Sequence, residues 1–224
     1  PPFSPPCAGR SWHSSRAERT TMVTVYHVKG TRGVRVIWLC EELGVPYEVE
    51  VIDFSPRFKN SPEWRSKSPT GKVPAVTVDG FTMFESGAVC DYLLDRYGNG
   101  RLQPAPGSTD SALCRQWSWF AEATFARPLG EIVNHNRVAP EGGQVDFVIE
   151  DCKTRSRICI AAIEDVVSKS DYLVGDTFTV ADIMTGYSLL LASNFGLLTN
   201  DYPATLAYYE RLSERPGFQI ARDS

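Results

Sequence analysis

The sequence predicts an α/β domain followed by an all-α domain. Three observations carry this prediction. A strand–helix–strand pattern follows residue 22. Asp79-Gly80, flanked by apolar runs, marks a hairpin. Beyond a Pro- and Gly-rich linker at 103–110, every apolar pattern has the helical period.

The elements follow in order. Residues 1–21 hold four prolines, several serines and three arginines, without apolar periodicity. They lack the apolar stretch of a secretory signal and read as a disordered extension, native or expression-derived; an Arg- and Ser-rich transit segment is the alternative. From Met22 the run turns strand-like over 23–28. Apolar positions Val36, Leu39, Cys40 and Leu43 predict a helix over 32–43, ended by Gly44. Alternation of Tyr and Val with Glu predicts a strand over 47–52, so a βαβ unit forms within about 30 residues and pairs its strands in parallel. A polar stretch at 55–70 carries one short helix near 62–66. Strands at 76–78 and 81–84 flank the Asp79-Gly80 turn. Ser86 then precedes a helix bearing Val89, Tyr92, Leu93 and Tyr97, stopped by Gly98 and Gly100. The order β-α-β-(α)-β-β-α fills 22–102.

The helical part spans 111–224. Leu113, Trp117, Phe120 and Thr124 form the stripe of its first helix, which Pro128 should kink or end. A second helix covers 144–168. A third starts at Thr179, is apolar almost all round and so should be central; Gly196 ends it. The last starts at Pro203, a natural first-turn residue, and stops before Pro216.

Composition excludes several classes. The 224 residues are 42% hydrophobic and 22% charged, ordinary for a chain with a packed core. A net charge of −4 argues against nucleic acid or an anionic membrane as main partner. No apolar run of about 18 residues predicts a transmembrane helix. The six cysteines form no Cys-x-x-Cys pair and the three histidines are scattered, so no metal site is expected. Buried free thiols in a reducing cytosol fit this usage, and a cytoplasmic location is expected.

Four places can carry chemistry. Val73-Pro74 lies between a glycine turn and a strand. It reads either as a trans proline opening an edge strand or as a cis bond that frees the Val73 N–H and carbonyl for an extended peptide. Glu85-Ser86 sits where a strand gives way to a helix. Ser86 suffices as an N-cap; the same geometry also offers unpaired N–H groups to a carboxylate, with Glu85 beside it for an ammonium, the two charges of an amino-acid head. Thr31 precedes the first helix and reads as a cap, or as a hydroxyl donating to a thiolate at a helix N-terminus, where thiol pKa values fall. A free thiol is only about 3% ionised at pH 7; lowering its pKa by about two units makes most of it thiolate, a differential stabilisation of about 2.7 kcal/mol. Thr179-Val-Ala-Asp182 is a capping box and reads as structural.

These pieces stand in a familiar order: Thr31 four residues before Arg35, Ser-Pro-Thr-Gly-Lys-Val-Pro-Ala-Val at 68–76, Asp79-Gly80, Phe84-Glu85-Ser86, and Tyr172-Leu-Val-Gly-Asp-Thr-Phe-Thr-Val-Ala-Asp182. Over 23–218 the chain resembles the cytosolic glutathione transferase superfamily. The resemblance implies a thioredoxin-like N-terminal domain, an all-helical C-terminal domain and a homodimer. It implies glutathione as co-substrate, no tightly bound cofactor, and conjugation to a small hydrophobic electrophile. Val73 and Pro74 then face the cysteinyl backbone, Glu85 and Ser86 the γ-glutamyl head, and Lys59 and Lys72 the glycine carboxylate; Thr31 stands where many classes carry an activating serine. Trp119, Phe120 and Ala123 can line the electrophile pocket or simply pack. Glutathione-dependent isomerase, etherase, dehalogenase and peroxidase chemistry stay open, as does a non-catalytic ligand-binding homologue. Thr in place of Ser keeps the hydroxyl with a stiffer rotamer. Lys72 replaces a frequent Gln and keeps a donor.

Overall fold

The computed structural model describes residues 23–140, 143 and 145–224. The expectations for residues 1–22 and for a helix start at Gln144 lie outside them. Strand β1 (Val23–His27) runs inside a four-stranded sheet of order β2-β1-β3-β4, with β2 at Tyr47–Val51, β3 at Ala75–Val78 and β4 at Phe81–Phe84. β1 pairs in parallel with β2 and antiparallel with β3, and β3–β4 is the expected hairpin. Its two turn residues, Asp79 and Gly80, both have positive φ, the requirement of the tight turn that matches strand twist. Helix α1 (Gly33–Leu43) crosses between β1 and β2 and ends at Gly44 in the left-handed conformation.

The polar stretch forms two short helices, α2 (Pro56–Lys59) and α3 (Pro62–Lys67), where one was expected. Each is started by a serine cap followed by proline: the Phe58 N–H donates to Ser55 Oγ and the Trp64 N–H to Ser61 Oγ. Helix α4 (Ser86–Leu93) follows β4 and relaxes into a π-helical turn at Leu94–Gly98. The thioredoxin-like domain read from the sequence is therefore present, and helices fill the rest of the chain.

Helix α5 (Thr109–Trp119) is capped by Ser108 and leads into a π-helical segment, Phe120–Phe125, and then α6 (Ala126–Val138). Pro128 does not end the helix. The widened turn just upstream opens the hydrogen-bond ladder where Pro128 has no N–H to give. Helix α7 spans Asp146–Val167 and α8 Val180–Asn194, the latter buried over most of its length as expected. Buried Asp182 does more than cap α8: it accepts from Thr179 N, Thr179 Oγ1, Leu173 N and the Tyr208 hydroxyl. Helix α9 (Pro203–Ser213) begins where expected. The apolar pattern predicted no helix beyond it, but Pro216 opens one, α10 (Pro216–Asp223). Proline suits a helix start as well as a helix stop.

One core joins both parts. Fully buried Trp38 of α1 sets its ring 4.9 Å from Phe218 of α10 and 5.7 Å from Phe178. Gly186 of α8 lies so close to Trp38 that a Cβ there would come within 2.7 Å of the indole. An ion pair from Glu42 to Arg215, at 2.6 Å, straps the same seam. These contacts fix the helices against the α/β domain, and the candidate site lies along that junction.

Candidate functional site

A cleft of about 90 Å³ lies between the two parts, lined by Arg32, Ser68, Thr70, Lys72, Val73, Pro74, Phe84, Glu85, Ser86 and Glu122. Five residues singled out in the sequence, Lys72, Val73, Pro74, Glu85 and Ser86, thus come together in one cavity.

The Val73–Pro74 bond is cis. The sheet begins only at Ala75, paired with Phe84, so Val73 stands just outside the ladder. No described residue hydrogen-bonds its N–H or carbonyl. Such unpaired groups on a cleft wall are the docking edge an extended peptide uses. Buried Ser68 fixes the neighbouring backbone: its Oγ donates to the Lys72 carbonyl at 2.7 Å and accepts from the Lys72 N–H at 3.1 Å.

The N-terminus of α4 lines the same cleft. Here the N-cap is Glu85, one residue earlier than expected, and Ser86 is the first helical residue. The first intrahelical bond runs from Val89 N to Glu85 O, which leaves the N–H groups of Ser86, Gly87 and Ala88 as the helix's orphan donors. Glu85 adopts φ +71°, ψ 103°, a conformation that costs a non-glycine residue about 1–3 kcal/mol and clusters at binding sites.

Behind Ser86 stands a group the sequence analysis missed. Arg35 of α1 is fully buried, and its guanidinium donates to Ser86 Oγ (3.2 Å), the Met184 carbonyl (3.2 Å), Ser188 Oγ (3.4 Å) and the Glu122 carboxylate. Glu122 also pairs with Arg32 Nε at 3.1 Å. Burial works to raise the Glu122 carboxyl, but the charges of Arg35 and Arg32 outweigh it and hold the group below its ordinary value. The π-helical segment turns Glu122 to this junction, a placement such segments often serve at functional sites.

Four expected residues are placed differently. The Thr31 hydroxyl donates to the Val28 carbonyl at 2.7 Å, its oxygen lies 3.4 Å from His27 Nδ1, and it is not among the cleft-lining residues. Arg32 occupies that corner. Lys59 also lies off the cleft wall, its Nζ over the Phe54 ring at 4.7 Å, although its carbonyl closely neighbours Gly71. Beside the cleft, and sharing Glu85 and Glu122 with it, is an apolar cavity of about 330 Å³ lined also by Gly87, Ala88, Cys90, Trp119 and Met184. Trp119 therefore lines a pocket. Phe120 turns onto Trp117 and Phe125, and Ala123 lines neither cavity.

The four-stranded sheet with α1 crossing between β1 and β2 and α4 following the β3–β4 hairpin defines a thioredoxin-like fold, joined to a helical partner domain. The chain matches the family models "Glutathione S-transferase, N-terminal domain" over 21–95 and "Glutathione S-transferase, C-terminal domain" over 148–216. It belongs to the glutathione S-transferase family. Glutathione S-transferase 3 of Schizosaccharomyces pombe is 26% identical over 212 residues, covering 90% of this chain and 87% of that protein. Glutathione S-transferase F13 of Arabidopsis thaliana is 27% identical over 192 residues, covering 82% and 87%. The solved glutathione transferase URE2P6 from Phanerochaete chrysosporium, in complex with oxidized glutathione, is 28% identical with a TM-score of 0.81, covering 91% of this chain and 95% of that one. Among the described residues no His/Cys/Asp/Glu group is placed to hold a metal, and no helix is long and apolar enough to cross a membrane.

Proposed function

We propose that this protein joins the sulfur of glutathione to a small hydrophobic electrophile. The observation that carries the reading is the single cleft lined by both the unpaired Val73 backbone and the first residue of α4, Ser86. The γ-glutamyl carboxylate takes the Ser86 amide and hydroxyl, and its ammonium takes Glu85. The cysteinyl backbone pairs with Val73 beside Pro74. Lys72 attracts the glycine carboxylate, with Lys59 adding long-range positive charge. The thiol then sits at the corner formed by the start of α1. Its proton leaves to solvent, the thiolate forms the new S–C bond, and the leaving group departs with its electron pair. Holding both reactants supplies proximity, and the electropositive corner supplies the nucleophile.

The Thr31 hydroxyl reaches the sulfur only by giving up the Val28 carbonyl, to which it donates at 2.7 Å. The apolar cavity beside Trp119 takes the electrophile, with Phe120 supporting its wall and Ala123 near its rim. The names of the relatives, and the glutathione-bound state of the solved URE2P6 structure, support glutathione as co-substrate. Exposed Phe81, Phe84 and Trp119 offer apolar surface for a homodimer. The five described cysteines, all buried and free, suit a reducing cytoplasm.

The test is calorimetric titration with glutathione beside a conjugation assay over aryl halides, epoxides and peroxides. Ser86→Ala should weaken glutathione binding by about 1.5–3 kcal/mol, the worth of a hydrogen bond to a charged group. Unchanged affinity would remove the α4 clamp.

A further inference from the structure

The thiol corner is occupied by Arg32, and we infer that its guanidinium, rather than the Thr31 hydroxyl, is the group that holds the glutathione sulfur as thiolate. The inference rests on the glutathione reading above. Three observations carry it. First, the Thr31 hydrogen is committed to the Val28 carbonyl at 2.7 Å, and the residue does not line the cleft. Using it would cost that bond; using Arg32 costs none. Second, Arg32 is the residue from which α1 starts, without a side-chain cap, so its charge adds to the positive end of the helix. Its side chain is partly exposed and lines the same cavity as Val73, the residue that takes the cysteinyl backbone.

Third, the charge of Arg32 is not cancelled. Glu122 is the carboxylate shared by Arg32 and Arg35. Arg35 is completely buried, and its other acceptors, Ser86, Ser188 and the Met184 carbonyl, are neutral. A buried guanidinium demands its counter-charge far more than a half-exposed one does. Two arginines on one carboxylate leave a net positive charge, and the arginine with access to the cleft is Arg32. The other groups facing this corner do not supply it. Tyr187 gives its hydroxyl to the Gly30 carbonyl at 3.3 Å and is held protonated by burial. Buried His27 is neutral at pH 7. Lys72 lines the cleft, next to Val73 in the chain on the wall where the glycine carboxylate is placed, and Glu85 is negative. An arginine keeps its charge at every working pH and presents several donors to an anion, so it can favour thiolate over thiol without itself titrating.

The experiment is ultraviolet titration of the bound thiolate, with the pH profile of kcat/KM, in the full chain and its Arg32→Gln, Arg32→Lys and Thr31→Val variants. Circular dichroism checks that each variant is folded, and calorimetry that glutathione still binds. Arg32→Gln should raise the thiol midpoint by about one unit or more, lowering kcat/KM about tenfold below that midpoint and less at high pH. Arg32→Lys should restore most of the shift, and Thr31→Val should move the midpoint less than Arg32→Gln does. A bound thiol whose midpoint is unmoved by Arg32→Gln, or moved more by Thr31→Val, overturns the inference. Failure of the parent chain to bind glutathione sinks instead the reading on which it rests.

Discussion

Glu122→Ala is the sharpest perturbation of the junction. Arg35 has no exposure, and among the described residues Glu122 is the one negatively charged acceptor on its guanidinium. Removing one partner of a buried ion pair costs about 3–5 kcal/mol, because the survivor stays buried and unpaired. The Glu122 side chain is 27% exposed, so water reaches that end and the lower figure applies, about 3 kcal/mol. For a chain of this size each kcal/mol moves Tm by about 2–4 °C, giving a fall of about 6–12 °C. Thermal unfolding followed by circular dichroism, without glutathione, reads it directly. Arg35→Met and the double variant complete a cycle, and the double should cost well under the two singles together, since once either charge is gone the other has lost its partner. A loss below about 0.5 kcal/mol for Glu122→Ala, or strict additivity in the cycle, would refute the idea that this carboxylate balances a buried charge.

Two further outcomes are expected. Trp119→Ala should raise KM for a hydrophobic electrophile about three- to tenfold, the worth of one aromatic contact, while leaving KM for glutathione unchanged; the reverse split would place the electrophile elsewhere. His27 is buried, which pushes its pKa down from 6.5 to about 4 against an opposing Ser224 backbone contact. Between those values the unfolded chain takes up a proton that the folded one refuses, so stability falls as pH drops from 6.5 toward 4. His27→Gln should flatten that part of the Tm–pH curve relative to the parent, and an unchanged slope would mean that His27 is protonated in the fold.

Much of the fold was legible because local signals agreed with the tertiary result. The alternation at β2, the Asp79-Gly80 turn and the all-round apolar α8 each have one natural solution. Pro216 does not: it stops one helix and starts another, and only burial of Phe218 and Ala221 against α1 decides for α10. Pro128 left a kink and an end both open for a related reason, since the π-helical widening that accommodates it leaves no mark in the apolar spacing. Val73-Pro74 and Glu85-Ser86, which line one cleft, were legible because each pair is adjacent in the sequence. Arg35 and Glu122 lie 87 residues apart and meet only when the helices close on the sheet. An arginine inside the apolar run 34–39 was the one signal available, for a buried charge there requires a partner. At residue 31 the direction of the hydroxyl was not readable, because a threonine hydroxyl can bond back to a carbonyl three residues earlier.

Whether the cleft beside Val73 holds glutathione is decided most directly by a crystal structure of the complex. The tripeptide should lie extended, with its cysteinyl N–H and carbonyl on the Val73 backbone, its γ-glutamyl carboxylate on the first amides of α4 and its sulfur toward Arg32. Glutathione seated in the Trp119 cavity, or bound with Val73 and Ser86 untouched, would contradict the assignment of this cleft.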